Sequence, residues 1–384
     1  MGPQHRTKQG KITNKPMALY DKWLFFSVVL LLCIGSLMVA SSSIVISEKY
    51  FNLPFYYFLK QIIYISIGII TALFVARVPI SQWFDMSKTL LLISIILLIL
   101  VLIPGIGRSV NGSYRWLGIA GIALQVSEFA KLAVIIYIAS FLDRHHLEVK
   151  TTFSGFLKPL VVLGIVAALL LKEPDFGAAV VITLTVLSLL FLAGVKLWKF
   201  SLLVISAIGA IATLAVSSPY RVARLTSFLD PWANQFDGGY QLTQSLIAFG
   251  RGGITGVGLG ESVQKLFYLP EAHTDFLLAV LGEELGLVGL LIVFSLYLII
   301  CVRGMMIGRF AEKSGNRFAG FLAYGLTLWL TFQAIINIGV NIGLLPTKGL
   351  TLPFMSSGGS SIVVSFIAVA LLLRIDYEDR WQAY

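Results

Sequence analysis

The sequence predicts an all-α membrane protein, a polytopic helical bundle with about ten transmembrane helices and a large outward loop between the seventh and eighth. Three observations carry this expectation. Of the 384 residues, 57% are hydrophobic and 12% charged, with mean hydropathy +0.88, outside the range of soluble globular domains. Ten apolar runs approach or exceed the roughly 20 residues that a helix needs to cross a bilayer. Lysine and arginine concentrate in alternate short connections, the pattern that orients a multi-pass chain.

The runs fall at 23–43, 56–76, 87–103, 127–142, 155–171, 176–194, 198–217, 274–302, 320–343 and 353–374. Residues 1–22 form a basic tail with Lys8, Lys11, Lys15 and Lys22. The first run is too long for a signal-peptide core and no A-x-A site follows it, so it reads as an uncleaved anchor with a cytoplasmic tail. The third run is short and ends at Pro104-Gly105, and polar residues crowd the start of the fourth. Ten spans return the 375–384 tail to the cytoplasm. Arg144, Lys150, Lys196, Lys199, Arg303, Arg309, Lys313 and Arg317 fall on that same side. The opposite short connections carry little beyond Lys49, Lys172 and Lys348. The +10 net charge therefore reports orientation. No basic, aromatic-interleaved soluble surface is present to bind nucleic acid. Cys33 and Cys301 lie in apolar runs and imply no disulfide framework.

Residues 23–374 thus read as one ten-helix membrane domain with two unusual outward segments. Pro104–Gln125 carries Arg108, Asn111, Arg115 and Trp116 among glycines. The loop at 218–274 is long for a structureless connection. Its aromatics, among them Phe228, Trp232, Phe236, Tyr240, Phe249, Phe267 and Tyr268, argue against disorder. Arg221–Phe228 and Tyr240–Phe249 read as short amphipathic helices at the interface.

That loop ends in Pro270-Glu271-Ala272-His273-Thr274-Asp275, which runs straight into apolar helix. Thr274 or Asp275 could cap that helix. A plain cap needs one residue, however, and Glu271 and His273 stand beside it. At the bilayer edge a partly desolvated carboxylate has its pKa raised toward the range of a useful base. Glu128 and Lys131, at i and i+3, share one face of the fourth span, either as a structural ion pair or as a pair lining a cavity. Arg115, at the outer edge of the same element, offers a guanidinium fork suited to phosphate. Asp175, in Glu173-Pro174-Asp175-Phe176-Gly177, reads as a turn and cap. Glu283 and Glu284 suggest helix packing or hydrogen bonding. Ser356, in the small-residue stretch Ser356-Ser357-Gly358-Gly359-Ser360-Ser361, serves either close helix approach or substrate contact.

In order along the chain, Gly112-Ser113-Tyr114-Arg115-Trp116, Gln125-Val126-Ser127-Glu128-Phe129-Ala130-Lys131, Glu173-Pro174-Asp175-Phe176-Gly177, Gly239-Tyr240-Gln241, the Pro270–Asp275 motif and Leu345-Pro346-Thr347-Lys348-Gly349-Leu350-Thr351 resemble the SEDS family (shape, elongation, division and sporulation). The resemblance spans Tyr20 to Arg374. Within the family, Pro-Glu-Ala-His-Thr-Asp and Leu-Pro-Thr-Lys-Gly-Leu-Thr are more similar to the division branch than to the elongation branch, and the sporulation branch shares them, so an elongation-type or sporulation-type polymerase is the alternative within the family. Val126 stands where the family often has proline, and Ser357 where an aromatic is usual.

The resemblance implies a peptidoglycan glycosyltransferase that polymerises lipid II into β-1,4-linked glycan and releases undecaprenyl pyrophosphate. Asp275 matches the family's essential acid, and Glu128 and Lys131 match its ion pair. Glu271, His273 and Lys348 fall in matched motifs and, with Ser356, are expected to bind substrate or pyrophosphate or to support the site. A sugar hydroxyl is a poor nucleophile, and general-base help of about 10²–10⁴-fold is insufficient alone. Charge on the departing pyrophosphate needs Arg115, Lys131, Arg221, Arg224 or a divalent cation, magnesium or manganese, held partly by carboxylate. The resemblance further implies a class B penicillin-binding protein transpeptidase of the FtsI type, other division-complex membrane proteins and membrane lipid as partners. It places the chain in the bacterial cytoplasmic membrane at the septum. Ten spans with intramembrane charges also suit a lipid flippase, and a recruiting scaffold would need none of the acids. Against transport, the intramembrane acids cluster toward the outer side and the helices are not obviously broken at the midplane.

Overall fold

The structure is a computed structural model that describes residues 20–110, 113–119, 122–196, 198–201, 204–205, 209, 228, 230–233, 235–236, 238–346 and 349–382. The helices are α1 Lys22–Phe51, α2 Tyr56–Val75, α3 Ile80–Val101, α4 Val126–Arg144, α5 His146–Thr151, α6 Phe153–Lys172, α7 Phe176–Leu192, α8 Tyr240–Gly252, α9 Leu277–Lys313, α10 Arg317–Asn341 and α11 Gly359–Gln382. Among the described residues, seven of them (α1, α2, α3, α6, α9, α10 and α11) are long and apolar enough to cross a membrane, and α7 is a shorter apolar helix. The chain is a multi-pass helical membrane protein. The seventh apolar run, 198–217, lies outside the described residues.

Helix limits follow local chemistry that a search for apolar runs overlooks. Asp21 starts α1 by accepting from Leu24 N at 2.8 Å, and Asn52 ends it in the left-handed conformation that asparagine tolerates. Pro79 starts α3 seven residues before the apolar run, because its first two turns mix polar and apolar residues. Helix α11 continues past 374 to 382, where Arg374–Glu378 at 2.7 Å and Arg380–Asp376 at 2.9 Å pair at i, i+4. It begins at Gly359 instead of 353, because residues 353–358 form a buried turn.

The centre of the bundle is α4, which packs against α3, α7 and α10 and is buried along nearly its whole length. Helices α10 and α11 are also enclosed (72% of the spanning window buried in each), whereas α2, at 17%, lies on the periphery. One end of the bundle is basic: Asp21 binds Arg303 Nε at 2.8 Å, and Arg374 reaches Ala76 O at 3.1 Å. The other end gathers the starts of α4, α7 and α9.

Two features depart from the sequence reading. The all-α expectation misses a three-stranded antiparallel sheet, β1 Gly107–Val110, β2 Ser113–Ile119 and β3 Ile122–Gln125, in the order β1-β2-β3. It pairs Arg108 with Trp116 and Trp116 with Gln125, and it leads directly into α4. Helix α9 is also broken, at the tenth of its 37 residues. Gly286 in α9 has φ 64° and ψ −162°, a conformation open essentially to glycine alone. The segment 253–258 fills the break. Val257 N and Gly258 N donate to Glu283 O and Glu284 O at 3.0 and 3.1 Å, and Leu287 N and Val288 N donate to Gly253 O and Ile254 O at 3.0 and 3.1 Å. Four backbone bonds to the 253–258 segment thus stand in for helical ones at the break.

Candidate active site

The site is built around Asp275, which precedes α9 without capping it. The residue at the N-cap position is Phe276, which offers no side-chain cap, and Thr274 Oγ1 turns back to Glu271 Oε2 at 2.7 Å. What holds Asp275 is its backbone. Its carbonyl accepts from Asn337 Nδ2 at 2.9 Å and from Asn341 Nδ2 at 3.0 Å, both on α10. The carboxylate is left out of the helix and lies against Gly349, where an added Cβ would sit 3.1 Å from Asp275 Oδ2. Burial pushes the carboxyl up to about 7, Glu271 and Asp175 push the same way, and Arg115 opposes them. An acid poised there is half ionised near neutral pH, the condition that suits a general base.

Its neighbours occupy distinct roles. His273 is buried, its ring centroid lies 4.4 Å from that of Tyr57, and its carbonyl accepts from Ser357 N at 3.0 Å. Burial lowers its pKa, so the imidazole is neutral at pH 7, and its Nδ1 has no partner among the described residues. Glu271 is exposed and supplies negative charge to Asp275, His273 and the outer rim.

Arg115 lies on β2, and not at the edge of the fourth helix where the sequence placed it. Its Nε donates to Glu173 O at 3.2 Å and its Nη2 to Pro174 O at 2.5 Å, which clasps the α6–α7 turn. That turn brings two more acids to the site. Asp175 caps α7 by accepting from Ala178 N at 3.2 Å, as the cap reading expected. Glu173 is fully buried, neither carboxyl oxygen has a partner among the described residues, and desolvation pushes it up to about 8.

The Glu128–Lys131 pair forms as the i, i+3 spacing requires, at 2.8 Å, with Lys131 fully buried. Lys131 Nζ also donates to Gln333 Oε1 at 2.8 Å, an oxygen shared with Trp329 Nε1 at 3.0 Å. The Gln333 amide continues to Thr351 O at 3.0 Å. Removing one partner of such a buried pair typically costs about 3–5 kcal/mol, because the other charge is stranded.

The remaining expected site residues divide. Ser356 is buried and its hydroxyl accepts from Leu352 N at 2.9 Å, so that contact builds the 352–356 turn. Lys348, Arg221 and Arg224 lie outside the described residues. Glu283 and Glu284 are fully buried hydrogen-bonding centres, in line with the packing reading. Glu283 meets Arg251 Nη1 at 3.0 Å and Ser262 Oγ at 2.5 Å, and Glu284 meets Lys265 Nζ at 2.7 Å and Ser41 Oγ at 2.7 Å. They fasten the loop ahead of Asp275 to α9 and α1. Sequence reading missed Gln333, Asn337 and Asn341. The available signal was three amides at four-residue spacing, one helix face, inside an apolar run. Among the described residues, no three His, Cys, Asp or Glu side chains converge as a metal cage.

Comparison with known proteins gives a consistent result. The family model for FtsW, RodA and SpoVE, described as "Cell cycle protein", matches residues 22–381. The chain is 57% identical to a Legionella pneumophila protein named "Probable peptidoglycan glycosyltransferase FtsW", covering 100% of this chain and 97% of that protein. It is also 57% identical to a Coxiella burnetii protein of the same name, over 94% and 97% of the two chains. A chain from a structure described as "Structural coordination of polymerization and crosslinking by a peptidoglycan synthase complex" superposes with TM-score 0.77, at 26% identity, covering 94% of this chain and 98% of that one. The rod shape determining protein RodA of Thermus thermophilus superposes with TM-score 0.70 at 23% identity over the same shares, a likeness of fold.

Proposed function

The chain belongs to the FtsW–RodA–SpoVE family of cell cycle proteins, and from that membership we propose that it is a septal peptidoglycan glycosyltransferase that polymerises lipid II, with Asp275 as general base. The observation that carries the assignment of Asp275 is a carboxylate with no hydrogen bond among the described residues, with a pKa pushed up to about 7, on a backbone fixed from α10.

In this reading Asp275 takes the proton from the 4-hydroxyl of an acceptor GlcNAc. The freed oxygen attacks C1 of the donor MurNAc, the C1–O bond to phosphate breaks, and undecaprenyl pyrophosphate leaves with the electron pair. One displacement at an α-linked phosphate inverts the anomeric carbon and gives the β-1,4 link. Arg115, whose carbonyl contacts use two of its five N–H donors, is the nearby cation suited to the developing pyrophosphate charge. The described residues do not form a protein-only metal cage. A divalent cation, magnesium or manganese, would therefore depend largely on substrate oxygens, and no step above is routed through one.

The same proposal extends to surroundings. The basic end of the bundle faces the cytoplasm with both termini, and the Asp275 end faces out, where a polar head meets the medium and a polyprenyl tail stays in lipid. A class B penicillin-binding protein transpeptidase of the FtsI type is the expected partner, together with other division-complex proteins at the septum. The break in α9 does not favour a transporter, because loop backbone fills it in place of an open polar path.

The test is polymerisation of purified lipid II by the protein with its cognate transpeptidase, transpeptidation blocked. Wild type is expected to make glycan chains and Asp275→Ala to make none while still folding and binding its partner. Equal polymer from both would return Asp275 to a structural role.

A further inference from the structure

Lys131 is fully buried, yet its ammonium meets the first of a row of three side-chain amides on α10, each of which bonds the chain around Asp275. Gln333, Asn337 and Asn341 lie at i, i+4 and i+8 on α10, hence on one face, and all three are buried. Gln333 receives Lys131 Nζ on its oxygen and donates its nitrogen to Thr351 O at 3.0 Å. Asn337 donates to Leu350 O at 2.6 Å and to Asp275 O at 2.9 Å. Asn341 donates to Asp275 O at 3.0 Å and to Asn337 O at 2.9 Å.

We propose that Gln333, Asn337 and Asn341 form a ladder of positioning residues that sets the depth and aim of the Asp275 carboxylate, and that the Glu128–Lys131 pair acts on the reaction through this ladder. The inference rests on the glycosyltransferase reading above.

The acceptors make the argument. Three backbone carbonyls, at 275, 350 and 351, receive the ladder's amides, and they belong to the two segments that flank the carboxylate. Gly349, next to the second of these, is the residue against which Asp275 Oδ2 rests. The carbonyl of Asp275 is available because α9 does not use it: Ala279 N and Val280 N both turn to Phe276 O. A ladder that served only to join helices would bond helix to helix. This one bonds α10 to the irregular chain on either side of the base. Lys131 lacks any exposed surface through which to meet substrate, whereas Gln333 is bonded to it directly.

The experiment measures kcat, KM and the pH–rate profile of lipid II polymerisation in the complex with the transpeptidase, per folded molecule, with thermal unfolding as the folding control. The variants are Asn341→Leu, which keeps the heavy-atom branching and removes the donor, and Gln333→Glu. The second keeps an oxygen for Lys131 and Trp329 but lacks the donor to Thr351 O. Misplacement of a reacting group by about 1 Å costs on the order of 10²-fold, so kcat should fall by about that factor with KM nearly unchanged. The acid limb should move as well, because the carboxyl no longer sits at its native depth.

Wild-type kcat and an unmoved acid limb in both variants would make the ladder purely structural and overturn the inference. If Asn341→Leu does not fold, Gln333→Glu decides alone by the same two readouts. A wild-type complex that makes no polymer would instead overturn the glycosyltransferase reading itself, and this inference with it.

Discussion

Asp175 and Asp275 look alike in sequence and do opposite things. Each ends a connection at the same end of the bundle, each is followed by phenylalanine, and each leads into an apolar helix. Asp175 commits both of its oxygen-bearing groups to α7: its carboxylate accepts from Ala178 N and its carbonyl from Ala179 N. Asp275 commits neither group to α9. Its carbonyl is taken by two amides of α10, and its carboxylate stays outside the helix. The difference arises from the partner helix, because α10 presents asparagines where the Asp275 backbone passes. The two aspartates are thus separated by what donates to the backbone carbonyl, their own helix or α10, and the local motif does not distinguish them.

The largest expected effect breaks this comparison at Asp275. Asp275→Asn keeps the shape and removes the base, so polymerisation of lipid II should fall by about 10²–10⁴-fold. Thermal stability above neutral pH should hold or rise. The sign follows from linkage. The folded carboxyl titrates near 7, well above the ordinary value of about 3.9, so it favours the folded state below pH 4 and that contribution is lost as pH rises through 7. The rate runs the other way. A base must be ionised, so kcat/KM of wild type should climb through about pH 7 to a plateau. The residual activity of Asp275→Asn should lack that limb, and an identical limb in the variant would assign the titration to another group.

Much of this could be read from the sequence, for physical reasons that also explain the gaps. Apolar runs mark bilayer helices strongly, and nine of the ten coincide with described helices, with limits shifted where caps or i, i+4 ion pairs decide. The Glu128–Lys131 contact follows from helix geometry alone. The sheet at 107–125 was missed because its strands are short and interrupted by glycine. The break at Gly286 was missed because glycine is common inside membrane spans and the apolar run continues through it. The amide contacts to Asp275 join residues 62 and 66 positions apart, and no local pattern encodes such a pairing. Arg115 was found by residue type, but its clasp on the α6–α7 turn depended on a sheet that had not been foreseen.

A smaller effect is expected two residues before Asp175. Glu173 is buried without a partner among the described residues, and its carboxyl titrates near 8. The folded state therefore retains its proton across neutral pH, and stability should decline as pH rises from about 4 toward 8. Glu173→Gln cannot ionise and should escape that decline. Thermal unfolding at acid and alkaline pH checks this: the two proteins should melt alike below pH 4 and diverge above pH 8, with the variant higher. Parallel melting curves across the range would mean that Glu173 is ionised and paired in the folded protein.

The smallest effect sharpens the comparison from the Asp175 side. If Asp175 is chiefly a cap, asparagine should replace it with little loss, because an Asn side chain also accepts from the N2 or N3 amide. Alanine cannot, and Asp175→Ala should lose about 0.5–2 kcal/mol of stability. The matched pair at the other helix should show no such ordering. Neither oxygen of Asp275 caps α9, so Asp275→Ala and Asp275→Asn should not differ in stability by a cap's worth, although both should lose activity. Thermal unfolding of the four variants at one pH decides it. An alanine penalty of equal size at both positions would mean that Asp275 does cap α9 in solution, and the division of labour between the two aspartates would fail.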